Sequence, residues 1–170
     1  ITTGWNVSAN RDAGFSIVKY TGNGTSGATV GHGLSSNPEM VIVKGLDNAL
    51  NWIVYHTGVG STKYIQLNVT GAEEPQSSYN MFNSTAPSST VFSLGNLANT
   101  NSNPLDYIAY CFHSIPGMSD IGSYIGLGSS ANPVIVTGFR PAFVMIKNTT
   151  SNSTSWVMAD DRRGYNDLYA

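Results

Sequence analysis

Three histidines, two carboxylate doublets, one thiol and two glycine-rich stretches are the groups in this 170-residue sequence whose types could do chemistry. His32, His56 and His113 are candidate metal ligands or general bases, but no two of them have the spacing of a zinc-ligand pair. Hydrolysis of a glycosidic bond needs two carboxyls facing each other across a cleft, whereas neighbours on a strand point to opposite faces. Glu73-Glu74 therefore does not read as an acid/base pair, and Asp160-Asp161-Arg162-Arg163 reads as a solvated turn with local charge pairing. Neither doublet has the spacing of an EF-hand calcium loop. Gly22-Asn-Gly-Thr-Ser-Gly27 satisfies G-x-G-x-x-G, and Gly126-Leu-Gly-Ser-Ser-Ala131 its alanine variant. Phosphate binding requires such glycines to open a helix, and here strand-like sequence follows, so turns of a hairpin account for both sets. Cys111, between Tyr110 and Phe112, reads as a buried small hydrophobe without a disulfide partner. With no G-x-S-x-G elbow either, the expectation is a chain with no catalytic residues, no metal site and no cofactor.

Binding is a different matter, because aromatic rings and amides can recognise a ligand without reacting with it. Trp52 and Trp156 each precede a hydrophobic pair. This suits a core anchor on a strand better than a sugar-stacking platform. The longest irregular stretch, residues 69–89, holds Tyr79, Asn80 and Phe82. Loops of that length usually either close an end of a domain as a packed Ω-loop or bind something. Rigid apolar faces beside amides suit a sugar or a receptor edge, so these three residues are the candidate receptor- or glycan-binding set.

An internal repeat organises the elements that must carry these residues. Tyr20-Thr-Gly-Asn-Gly24 returns as Tyr124-Ile-Gly-Leu-Gly128, Pro38-Glu-Met-Val-Ile-Val-Lys44 as Pro141-Ala-Phe-Val-Met-Ile-Lys147, and Asn51-Trp-Ile-Val-Tyr-His56 as Ser155-Trp-Val-Met-Ala-Asp160. In this alignment His56 becomes Asp160 and His32 becomes Thr137, so the repeat does not require imidazole at either place. The organisation read from it is a lead-in over 1–14, a first β module over 15–116 and a partial second module over 117–170. Short β-branched and aromatic runs separated by Gly, Asn, Ser and Pro predict strands at 15–20, 28–33, 39–44, 51–56, 63–68, 90–94, 106–113, 121–125, 133–138, 142–147 and 155–159. No segment carries a 3.6-residue stripe. The fold class expected is all-β: an antiparallel β-sandwich of jelly-roll type, made of two related modules of which the second is incomplete. Met40–Val43 and Phe143–Ile146, apolar throughout, are expected as central strands covered on both faces. The second module should leave an open edge to be covered by further polypeptide or a neighbouring chain.

Composition agrees with strands and narrows the partners. Charged residues are 11% of the chain against about a quarter in typical soluble domains, and net charge is −2. No basic run could neutralise phosphates, which argues against nucleic acid. No apolar stretch approaches a membrane span, and no signal segment opens the chain. A start at Ile1 fits a piece of a longer or processed polypeptide.

The strings Tyr20-Thr-Gly-Asn-Gly24, Ala28-Thr-Val-Gly-His-Gly-Leu34, Pro38–Lys44, Asn51–His56, Tyr107-Ile-Ala-Tyr-Cys-Phe-His113 and Thr137-Gly-Phe-Arg-Pro141 resemble a repeat of tail-fibre and other virion appendage proteins of marine tailed bacteriophages. The resemblance covers about residues 14–170. It implies a virion-surface setting: a non-enzymatic structural and adhesion module, homo-oligomeric with a trimer as first expectation, contacting other virion proteins and a host surface glycan or protein. The alternatives are a carbohydrate-binding or polysaccharide-degrading domain of a secreted enzyme, and a capsid decoration or extracellular filament subunit.

Overall fold

The computed structural model describes residues 6–128 and 133–162. Among them lie β1 (Asn6–Asn10), β2 (Phe15–Thr21), β3 (Ala28–Gly31), β4 (Met40–Gly45), β5 (Ile53–His56), β6 (Lys63–Gln66), β7 (Glu74–Pro75), β8 (Val91–Leu94), β9 (Asp106–Phe112), β10 (Phe143–Ile146) and β11 (Val157–Asp160). The fold is all-β and sandwich-like. One antiparallel sheet runs β1-β2-β9-β4-β5-β6-β7, the β3–β8 pair forms a second layer, and β10–β11 is a separate two-stranded ribbon.

Strict alternation drives the first module. Ser16, Val18 and Tyr20 of β2 and Tyr107, Ala109 and Cys111 of β9 turn inward with Val41, Val43, Ile53, Tyr55 and Tyr64. They meet Val30, Phe92 and Leu94 from the β3–β8 layer. Burying each such aliphatic side chain contributes about 1.5–3 kcal/mol. The tyrosine hydroxyls stay satisfied within this core, whereas Ser16 Oγ has no hydrogen-bond partner among the described residues. Tyr20 and Tyr107 stack at 5.3 Å, and their hydroxyls donate to Thr100 O and Ala98 O, each at 2.7 Å. The outer face has a smaller cluster of Ile42, Val54 and Ile65, covered by Trp52, Tyr110, Phe112 and Trp156. Met40–Val43 is thus central and covered on both faces, as its unbroken apolar run predicts.

The repeat is structural as well as sequential. β4 pairs with β5 as Met40↔His56, Val41↔Tyr55, Ile42↔Val54 and Val43↔Ile53. β10 pairs with β11 as Phe143↔Asp160, Val144↔Ala159, Met145↔Met158 and Ile146↔Val157. These are the same four pairs under the sequence alignment. The hydrogen bond from Thr57 N to Glu39 O recurs as Asp161 N to Ala142 O. The left-handed glycines recur too: Gly24 and Gly33 correspond to Gly128 and Gly138, all with φ between 71° and 76°.

Several expectations change. Residues 121–125 and 133–138 are not strands. Their counterparts in the first module, β2 and β3, pair with β9 and β8, and the second module up to residue 162 contains no counterpart of either partner. Phe143–Ile146 is not a covered central strand, since among the described residues the ribbon has two strands and Phe143 is 55% exposed. Residues 6–10, read as lead-in, form the edge strand beside β2. Their single large apolar residue, Val7, gives little alternation to read. β7 was hidden by the loop-like composition around Pro75. Gly22–Gly27 is not a hairpin turn: it carries the chain from β2 in the large sheet to β3 in the second layer. The predicted counterpart of Lys63–Ile65 near the end of the second module lies outside the described residues.

Candidate functional site

Most groups singled out for chemistry have a structural use; His113 is buried with Nδ1 donating to Ser114 O at 2.9 Å, while its Nε2 has no partner among the described residues. Glu74 on β7 accepts from Tyr64 Oη and Gln66 Nε2, both at 2.7 Å, while Glu73 pairs with Lys63. The two carboxylates are thereby committed to separate partners. Burial, followed by the hydrogen bond and charge of Glu74, pushes the Tyr64 phenol well above its ordinary pKa. At Asp160-Asp161, Arg162 N donates to Asp160 Oδ1 and the Arg162 guanidinium stands 3.9 Å from Asp161. This is the expected turn, although Arg163 lies outside the described residues.

His32 is fully buried. Leu34 N donates to its Nδ1, leaving Nε2 to donate to Ser88 O at 3.1 Å. That pattern is the neutral Nε2–H tautomer. Burial lowers its pKa, opposed by the Ser88 bond. Burial likewise lowers that of His56, whose Nδ1 accepts from Gly58 N. Cys111 is buried in the first-module core, and burial pushes its thiol up to about 12, which makes it an inert core residue. Among the described residues no group of three His, Cys, Asp or Glu side chains is arranged to hold a metal ion.

The amides of Gly22–Gly27 are spent on the protein itself. Asn101, fully buried, accepts from Asn23 N through Oδ1 at 2.9 Å and donates through Nδ2 to Thr25 O and Gly95 O. Its carbonyl takes Gly24 N, while Gly22 N goes to Leu105 O and Gly27 N to Leu94 O. Asn101 is a hub that sequence reasoning missed, because nothing in its Ser/Asn/Pro-rich surroundings distinguishes it from a loop residue. The second glycine set is described only through Gly128.

Residues 69–89 are anchored rather than free. Buried Gln76 donates to Ser61 O and accepts from Phe82 N at 2.6 Å. Met81 and Phe82 enter the core, where the Phe82 ring meets Tyr55 edge-on at 6.1 Å. Phe82, at 2% exposure, is therefore a core residue and offers no face to a ligand, which corrects its place in the binding set. Asn80 is half-buried and donates to Ser26 Oγ at 2.9 Å. Tyr79, 54% exposed, is the one exposed member of the three.

A groove of about 680 Å³ is lined by residues 122–126 and 145–150 together with His56, Val59, Ile65 and Trp156. Trp156 fixes the ribbon by donating from Nε1 to Gln66 O at 2.9 Å. Lys147 adds bonds to Thr154 O and Thr70 O. Its repeat partner Lys44 bonds Gly45 O and Asn48 O at the corresponding end of its own hairpin. Trp52 and Trp156 border the same outer cluster and are both half-buried rather than fully buried.

An all-β, sandwich-like fold with a duplicated hairpin defines the class of protein. The chain belongs to the family described as a domain of unknown function, DUF7483, whose model matches residues 2–169. Neither the curated proteins nor the solved structures contain a match.

Proposed function

We propose that this chain is a non-enzymatic structural and adhesion module of a virion appendage such as a tail fibre, contacting a host surface glycan or protein. The observation that carries the reading is the hairpin repeated in identical register, the mark of a building unit used more than once along one polypeptide. The engagement of Glu73 and Glu74 by Lys63, Tyr64 and Gln66 supports a role without turnover. The weakly charged composition suits a surface working in salt water, where ion pairs are screened. Tyr79 is the contact residue in this reading, with Asn80 beside it.

The test is an array of host surface glycans and outer-membrane proteins probed with the intact chain, alongside assay of reducing ends released from the same polysaccharides. Saturable binding without release is expected, and Tyr79→Ala should weaken it about tenfold with unchanged thermal unfolding. Release of reducing ends that depends on Glu73 or Glu74 overturns the proposal, and so does the absence of any bound surface component.

A further inference from the structure

The groove and the repeat, taken together, say what the groove is shaped to hold. In the first module β9 lies between β2 and β4 and pairs antiparallel with both: Ile108 stands opposite Lys19 on one side and Lys44 on the other, and Tyr107 opposite Tyr20 and Gly45. In the repeat alignment the counterparts of Val18–Thr21 are Gly122–Ile125, and those of Ile42–Gly45 are Met145–Asn148. These two segments are the walls of the groove. The second module thus holds the counterparts of both flanks of a central strand, and both line one groove among the described residues.

The surface of this region fits the same conclusion. Tyr124, Ile125, Leu127, Phe143, Ile146, Val157 and Met158 are all exposed, whereas the first module exposes only Leu46 and Tyr79 among its large apolar side chains. Tyr124, Ile125 and Ile146 of these line the groove itself, and exposed apolar side chains along a groove mark an interaction site. β10, which pairs only with β11 among the described residues, offers backbone donors and acceptors along its other edge. Addition of a strand satisfies both at once.

We propose that this groove accepts an extended segment of the β9 type from a neighbouring polypeptide other than a second copy of this chain, inserted antiparallel between residues 122–125 and 145–148. The occupant is defined by β9 itself: Tyr107, Ala109 and Cys111 alternate inward, with Ile108, Tyr110 and Phe112 on the other face. By the register of the first module, the residue at the Ile108 position stands between Ser123 and Lys147, and the residue at the Tyr107 position between Tyr124 and Asn148. The inference concerns how the module is completed, and it stands whatever receptor the module contacts.

The experiment adds a synthetic peptide spanning Leu105–His113, with Cys111→Ser to prevent disulfides, to the intact chain and follows amide hydrogen exchange. Saturable binding is expected, with protection rising in both 122–125 and 145–148 and no effect from a scrambled peptide. Ile125→Asp, at a side chain 85% exposed, should lower affinity at least about tenfold while leaving thermal unfolding unchanged. No protection at about millimolar peptide, or equal protection by the scrambled peptide, overturns the proposal. Concentration-dependent self-association that protects the same walls without peptide also overturns it, by making a second copy of the chain the occupant.

Discussion

The hairpins β4–β5 and β10–β11 share four residue pairs, a lysine that ties their loops and a tryptophan on the outer cluster. Their surroundings differ. Val43 and Ile53 are sealed at 0% and 1% exposure, while their counterparts Ile146 and Val157 stand at 37% and 44%. β4 and β5 are flanked by β9 and β6; β10 and β11 pair only with each other among the described residues. Local sequence is therefore enough to set the register of this hairpin, whereas burial comes from strands that arrive from elsewhere. A two-stranded hairpin is marginal alone. This one is held by Trp156, Lys147 and the contacts of residues 149 and 152–154 with 70–73.

Paired substitutions at equivalent positions sharpen this contrast. The largest difference is expected at Gly22 and Gly126. A Cβ on Gly22 would lie 2.4 Å from Ser102 O, a backbone atom, whereas one on Gly126 would meet nothing within 4 Å. Gly22→Ala should cost about 4 kcal/mol in urea unfolding, and Gly126→Ala within about 0.5 kcal/mol of nothing. Equal effects would show that the two glycine turns share an environment and would break the comparison. Next come Ile53→Ala, expected to cost about 3 kcal/mol through the cavity it leaves, and Val157→Ala, expected to cost less than about 1 kcal/mol. A large loss at Val157 would mean that the ribbon is buried in solution, and its dependence on protein concentration would reveal self-association.

The smallest effect is on pH. All three histidines are in the first module, and His56 and His32 correspond to Asp160 and Thr137 in the second. The folded pKa of His32 is lowered chiefly by burial. Below the ordinary value near 6.5 the unfolded chain therefore binds more protons than the folded one, and stability falls as pH drops through that value. His56 contributes with the same sign. Urea midpoints between pH 8 and 5 should decline on the acid side, and the His32 ring should keep the neutral Nε2–H pattern in ¹⁵N spectra at pH 7. A midpoint that rises on acidification would contradict the buried neutral ring.

Part of the candidate site is legible in the sequence: the repeat locates both hairpins, both lysines and both tryptophans. Legibility failed where a residue's role depends on a distant partner. Tyr79, Asn80 and Phe82 look alike as members of a polar loop, yet Gln76 folds the backbone so that Phe82 meets Tyr55 while Tyr79 faces solvent. The apolar pattern at 121–125 and 133–138 is sound strand pattern. A strand, however, needs a neighbour as well as a pattern.

By itself the sequence determined the all-β class, the faces of most strands and the register of the repeated hairpin, because alternation and turn chemistry act over a few residues. Only the tertiary structure decided that β9 inserts between β2 and β4, that Asn101 gathers the glycine segment, and that the outer cluster is shared by both modules. The partners in these contacts lie far apart in the chain, as with Thr21 and Asp106, which are 85 positions apart. Over such separations many strand orders satisfy the same alternation, and the choice among them falls to the packing of whole faces and the pairing of most buried polar groups.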